Sequence, residues 1–286
     1  MGATAPPPAY TPEFVERGYN NRAAVPDHPR WFAQYAQWSA AAVERFRPAR
    51  NVRYGPGPKE VLDLFVPGSA ARGTLVFLHG GYWRALDKDD YGFVAAPFVE
   101  RGIAVANVNY DLCPAVSIAA IVDECRRAVA WVAREGAAHG AASQSVVVAG
   151  HSAGGHLAAM MLATDWSARG FGAPPLAGGV TLSGVHDLTP LVLFSYNVDL
   201  RLDDAEAARM SPALRSVTSP VPLLIACGAN ETSEFLRQSQ LLWDAWPEVR
   251  RPEAGPMFVP DADHFSVVAE YANPASALTR ATLDLF

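Results

Sequence analysis

The segment Gly150-His151-Ser152-Ala153-Gly154 holds a serine with a glycine two positions to either side. That spacing suits a sharp strand-to-helix turn with the hydroxyl at its apex, where larger side chains would collide. The apolar run Ser145–Ala149 precedes it and the small residues Ala153-Gly154-Gly155 open the next segment. This context predicts a nucleophilic Ser152. A serine hydroxyl is weakly nucleophilic at neutral pH, so a base must lie within hydrogen-bond reach. Among the seven histidines, His28 and His139 fall in polar stretches. His151 and His156 sit too near the serine on the turn to point at it, and His79 ends an apolar run, where it supports a loop. His186 is an alternative. His264 follows the apolar run Met257–Val259 in a polar loop, and the chain order serine, acid, histidine makes it the preferred base.

A carboxylate must then fix the imidazole tautomer and stabilise the imidazolium. Glu231 is the first carboxylate after the apolar run Leu223–Cys227 and is preferred; Asp187 is the alternative. Glu234 fits the first turn of the following helix, where an acid complements the dipole. Asp261 and Asp263 read as solvated loop residues. Negative charge on a former carbonyl oxygen calls for backbone N–H donors. His79-Gly80-Gly81-Tyr82 follows the run Thr74–Leu78, so the expected donors are the N–H groups of Gly81, Tyr82 and Ala153.

These residues need a frame that gathers them. Short, continuously apolar runs at Val61–Val66, Thr74–Leu78, Ile103–Val108, Ser145–Ala149, Gly179–Leu182, Leu223–Cys227 and Met257–Val259 read as strands. Ile118, Ile121, Val122, Cys125, Val129 and Val132 mark one face of a helix between them, and helices are also expected from Ala153, over Ser233–Trp246 and over Pro274–Phe286. This alternation predicts an α/β fold with a mostly parallel central sheet covered by helices on both faces. Reactive groups then collect at the C-terminal strand ends. The whole chain, 1–286, is expected to be one such domain. Residues 1–50 form an N-terminal helical or irregular extension, and about 187–220 a lid segment. Trp31, Tyr35, Trp38, Ala42 and Phe46 recur at helical spacing and read as core packing, while the three prolines of residues 6–8 predict a flexible start over residues 1–8.

Composition removes other classes of function. Half the residues are hydrophobic and 18% charged, which suits a packed core and not a disordered chain. The net charge is 23 − 29 = −6, with no basic cluster, so nucleic acid is not an expected partner. No apolar stretch approaches the ~20 residues that cross a bilayer, and no signal-peptide pattern begins the chain. Three widely spaced cysteines, Cys113, Cys125 and Cys227, suggest neither disulfides nor a metal site, and a reducing cytoplasmic setting is expected. Gly55-Pro56-Gly57-Pro58 is a turn, not a dinucleotide loop, and neither a P-loop nor H-E-x-x-H occurs. No cofactor or metal is expected; the expected partner is a small-molecule substrate. A homodimer is left open.

Leu78-His79-Gly80-Gly81-Tyr82-Trp83, Asn109-Tyr110-Asp111-Leu112-Cys113-Pro114, Gly150–His156, Glu231–Ser239 and Asp263-His264-Phe265-Ser266 together resemble the α/β-hydrolases of the hormone-sensitive-lipase-like branch. Within that branch the chain is most similar to the kynurenine formamidase (arylformamidase) group. The resemblance spans most of the chain and implies Ser152 as nucleophile, Glu231 as acid and His264 as base. Relatives of the lipase-like branch usually carry a third glycine or an alanine where Tyr82 stands, and the family often has aspartate in place of Glu231. The resemblance implies a serine hydrolase that converts N-formyl-kynurenine to formate and kynurenine in tryptophan catabolism. The alternative is a general carboxylesterase of short-chain acyl or aryl esters. Tyr82 and Trp83, with Phe194 and Tyr196 of the lid segment, are expected to wall the substrate pocket.

Overall fold

The computed structural model describes residues 10–286, so the expectation of a flexible start over residues 1–8 lies outside the described residues. Nine strands form one sheet: β1 (Ala49–Arg53), β2 (Val61–Phe65), β3 (Gly73–Leu78), β4 (Ile103–Val108), β5 (Val146–His151), β6 (Gly178–Leu182), β7 (Leu223–Gly228), β8 (Arg250–Arg251) and β9 (Met257–Val259). Their order is β1-β2-β4-β3-β5-β6-β7-β8, with β9 also paired to β7. β1 and β2 run antiparallel at one edge; every pairing from β4 through β3, β5, β6 and β7 to β8 and β9 is parallel.

The apolar runs become strands for the expected reason. Every residue of β3, β4, β5, β6 and β7 is buried, as befits a parallel sheet with layers on both faces. β1, at the edge, is largely exposed. The ends of the strands shift from the expected ones by a residue or two. β5 runs on through His151 and β7 through Gly228, because pairing with β6 and β9 continues past the apolar stretch.

The helices are α1 (Pro12–Tyr19), α2 (Asn21–Ala24), α3 (Pro29–Phe46), α4 (Ala96–Val99), α5 (Ile118–Glu135), α6 (Ala153–Leu162), α7 (Asn197–Leu200), α8 (Asp204–Arg209), α9 (Ser233–Ala245), α10 (Ser266–Ala269) and α11 (Ala277–Leu283). One apolar layer joins α1, α5, α6 and α9 to one face of the sheet, and α3, α10 and α11 belong to the layer on the other. The aromatic stripe of α3 packs as core: Tyr35 is buried, its ring stacks on Phe93 at 5.1 Å, and its hydroxyl donates to the carbonyl of Phe265. Residues 187–220 hold short helical turns; Tyr196 stands in the cleft with Ser152, while Thr218 and Ser219 reach the far end of α6, each donating its N–H to Leu162 O. α1 and α2 reach the C-terminal end of the sheet. Tyr19 donates to Glu234 (2.9 Å), and the hydroxyl of Thr232 donates to Gly18 O (2.5 Å). No helix among the described residues is long and apolar enough to cross a membrane.

Candidate active site

β5 ends where Ser152 swings the chain into α6. Ser152 has φ 58° and ψ −119°, a conformation that costs an L residue ~1–3 kcal/mol. Its N–H donates to Leu182 O at the end of β6 (2.8 Å), which helps pin the turn. The two glycines are steric necessities: a Cβ on Gly150 would lie 2.1 Å from Gly154 O, and one on Gly154 would lie 2.0 Å from Leu78 O.

Two loops bring the other groups to this hydroxyl. His264, in the turn after β9, has Nε2 3.0 Å from Ser152 Oγ and Nδ1 2.6 Å from Glu231 Oε2. Glu231 follows β7. Its second oxygen, Oε1, accepts the Ser183 hydroxyl and the Gly228 N–H (2.8 Å). Burial alone would raise this carboxyl, but the facing His264 and the hydrogen bonds from His264, Ser183 and Gly228 outweigh it and hold the group below the usual glutamate range. An anionic Glu231 keeps the proton of neutral His264 on Nδ1 and turns the Nε2 lone pair toward Ser152.

The other candidates fall elsewhere. Asp187 caps its own turn, accepting the N–H (3.0 Å) and hydroxyl (2.7 Å) of Thr189. His186 is buried beside Thr181. Glu234 pairs with Arg237 in the first turn of α9, and Asp263 accepts the N–H groups of Phe265 and Ser266. His79 stacks on Tyr110 at 4.1 Å with its Nδ1 2.7 Å from Gly80 O, and burial pushes its imidazole down to about 4.

Gly81, Tyr82 and Trp83 all have positive φ (116°, 52° and 55°), so the loop after β3 coils tightly back. The amides of Arg84 and Ala85 close it onto Gly81 O, which leaves those of Gly81 and Tyr82 out of the turn's own hydrogen bonds. A Cβ on Gly81 would lie 2.0 Å from Ala85 O. Ala153 opens α6, and first-turn N–H groups lack an intrahelical acceptor. Gly81, Tyr82, Ser152 and His264 line one cleft.

Two expectations about its walls need correction. Trp83 is fully buried, and its indole N–H donates to His156 Nδ1 (3.2 Å). The coiled backbone sends Tyr82 toward the cleft and the next side chain into the core, where the indole is both packed and hydrogen-bonded. Phe194 is likewise buried, packed behind Tyr82 (5.2 Å) and Tyr196 (4.7 Å). Of the four expected wall residues, Tyr82 and Tyr196 line the cleft.

Several lining residues escaped sequence reasoning. Asn20, Asn21, Arg22 and Phe32 come from the N-terminal extension, and Tyr91 and Phe265 complete the aromatic surface. Only Phe265, in the Asp263–Ser266 segment, lies in a motif. His151 also lines the cleft. Its Nε2 donates to His264 O (2.9 Å), which supports the histidine loop, and burial beside the His264 ring pushes its imidazole down to about 3. Ser183, with φ 52° just after β6, is the missed partner of Glu231.

A mainly parallel sheet with a serine on a strained elbow after its central strand, and a carboxylate and a histidine in the loops after two later strands, defines an α/β-hydrolase. The BD-FAE family matches over residues 62–171. Kynurenine formamidase from Salmo salar is 33% identical over 242 residues, covering 82% of this chain and 81% of that protein. Kynurenine formamidase from Danio rerio is 31% identical over 82% of this chain and 80% of its own. A crystal structure of a candidate thioesterase from Silicibacter sp. is 30% identical with a TM-score of 0.82, covering 94% of this chain and 98% of that one. The chain belongs to the kynurenine formamidase family.

Proposed function

We propose that the protein hydrolyses aryl formamides such as N-formyl-kynurenine to formate and the free arylamine, through a formyl-enzyme on Ser152. The observation that carries this reading is the continuous chain Glu231–His264–Ser152, with contacts of 2.6 and 3.0 Å, at the edge of a cleft walled by aromatic rings. Ser152 Oγ attacks the formyl carbon as its proton passes to His264 Nε2. The carbonyl oxygen gains the negative charge, toward which the N–H groups of Gly81, Tyr82 and Ala153 are directed in this mechanism; one such donor is typically worth ~2.7–4 kcal/mol. The C–N bond then breaks as His264 returns the proton to the leaving nitrogen. Water, activated by His264, cleaves the formyl ester and regenerates Ser152. Tyr82 and Tyr196 offer ring faces and edges to the aryl leaving group, with contacts worth ~0.5–1.5 kcal/mol beyond burial.

Short aryl esters fit the same steps, because an oxygen leaving group asks less of His264; this supports esterase activity as the secondary reading. Residues 187–220, which supply Tyr196, act as a partial lid over a single domain.

The test is formate release from N-formyl-kynurenine alongside p-nitrophenyl esters from formyl to octanoyl. Formamide turnover is expected, with ester kcat/KM falling as the acyl chain lengthens past the crowded Gly81–Tyr82 loop. Esterase activity without formate release would leave the carboxylesterase reading. Ser152→Ala should lower kcat by ~10⁴–10⁶ while the protein stays folded; retention of a hundredth of the activity would remove Ser152 as nucleophile.

A further inference from the structure

The cleft is uneven in charge. No Asp or Glu lines it, while two arginines and two asparagines do. The arginines differ. Arg84 is neutralised by Asp199, with Nε 2.6 Å from the carboxylate, and lies 4.5 Å over the Tyr196 ring. Arg22 makes no ion pair among the described residues; its guanidinium sits 5.6 Å over Phe32, another residue of the cleft. Its positive charge is felt across the cleft at Tyr91, where it opposes the upward push of burial on the phenol. Beside it, Asn21 is 97% buried, yet its side-chain nitrogen has no hydrogen-bond partner. A buried, unpaired amide is costly unless something brings it an acceptor.

The segment carrying this pair is fixed to the reacting groups. Tyr82 of the oxyanion loop donates its hydroxyl to Tyr19 O, and Thr232, next to Glu231, donates to Gly18 O. Asn20 caps the turn that follows, accepting Ala23 N–H at 3.0 Å. Asn21 and Arg22 are thereby held at a set position relative to Ser152.

We infer that Asn21 and Arg22 form a carboxylate subsite, which selects aryl substrates whose leaving group carries the carboxylate of an amino-acid tail over aryl formamides that lack one. This rests on the serine-hydrolase reading of the same cleft. An unpaired guanidinium offers a planar fork to a carboxylate, the amide of Asn21 supplies a further donor, and the rings of Phe32 and Tyr82 accommodate the arene between subsite and serine. The remainder of the rim holds no carboxylate to compete.

The experiment compares kcat/KM for N-formyl-kynurenine and for formanilide, which has no carboxylate. Arg22→Ala should reduce the ratio of the two by about 10- to 100-fold, the scale of a charge-assisted hydrogen bond, chiefly through KM. Arg22→Lys should recover part of it and Arg22→Glu should lower it further. Raising salt should increase KM for the carboxylated substrate more than for formanilide. Asn21→Asp, which places a negative charge in the cleft, should act in the same direction; because Arg22 is exposed, its variants carry the test if the Asn21 variant does not fold. Equal losses on both substrates, or a ratio unchanged by Arg22→Glu, would overturn the subsite. If the wild type cleaves no formamide, the formamidase reading fails separately. The subsite is then judged by the same ratio on phenyl acetate and its carboxyethyl-substituted analogue.

Discussion

Glu231→Gln isolates the charge of the carboxylate from its shape. Glu231 Oε1 receives two donors, the Ser183 hydroxyl and the Gly228 N–H, and Oε2 faces His264 Nδ1 at 2.6 Å. A glutamine must keep its oxygen toward Ser183 and Gly228, because turning the amide over would aim its NH2 at the fixed backbone N–H of Gly228. The NH2 therefore points at His264. At that distance two N–H groups cannot face each other, so the imidazole moves its proton to Nε2, where it can no longer accept from Ser152. The loss is that of a triad with the wrong tautomer, ~10⁴ in kcat or ~5.5 kcal/mol of barrier. Steady-state formate release from wild type and variant measures it, with circular dichroism to verify folding. Asp187→Asn is the control. Its carboxylate is occupied by Thr189, and an asparagine Oδ1 can accept the same two donors, so the change should cost less than about threefold in kcat. A Glu231→Gln enzyme within tenfold of wild type, or equal damage from Asp187→Asn, would refute the reasoning.

Two further outcomes follow from burial. Trp83→Ala removes a fully buried indole and strands His156 Nδ1, so it should cost ~3–5 kcal/mol of stability and weaken aryl and alkyl substrates alike; urea unfolding and paired kinetics check both, and an aryl-selective loss would return Trp83 to the cleft wall. Burial pushes His79 and His156 down to about 4, and His151 and His186 down to about 3. Between the unfolded value of ~6.5 and these values the unfolded chain binds more protons, so stability falls as pH drops, by up to ~1.4 kcal/mol per unit for each histidine. Glu124, raised by burial to about 7, works the other way between pH 7 and 4.5 and offsets about one of the four. Unfolding free energy measured from pH 7 to 5 should fall faster than a single proton allows, and a flat profile would contradict neutral burial of these four rings.

The positions of the candidate reacting groups were legible because each follows a local signal. The apolar runs mark the strands, and Ser152, Glu231, His264 and the Gly80-Gly81 pair each stand within five residues of the end of one of four of them. A parallel sheet must bring such positions to one edge whatever the loops do in between. Direction of side chains was not legible. Tyr82 and Trp83 are neighbours of similar character, and only the run of positive φ angles from Gly81 to Trp83 assigns one to the cleft and one to the core. The residues Asn20 to Arg22 gave no signal either, because their position depends on long-range bonds such as Tyr82 to Tyr19 and Thr232 to Gly18, across separations no local pattern encodes.

The support around Glu231 bears on why an amide can be a substrate. In the proposed mechanism a p-nitrophenyl ester loses a stabilised oxyanion, but an arylamine must be protonated as it departs, so the imidazolium of His264 has to persist until the C–N bond breaks. That persistence depends on the negative charge beside Nδ1, and here the charge is buried, hydrogen-bonded by a hydroxyl and a backbone N–H, and aligned at 2.6 Å. His151 adds a second restraint by donating to the backbone of His264 (2.9 Å), so ring and loop are both held. The same geometry should therefore matter unequally to the two substrate classes. Loss of the Glu231 charge destabilises the imidazolium that protonates a departing arylamine, whereas a p-nitrophenyl ester loses only the help given to its attacking serine. The formamide rate should fall further than the ester rate in the glutamine variant, and a larger ester loss would mean that departure of the amine is not the step this site was built to assist.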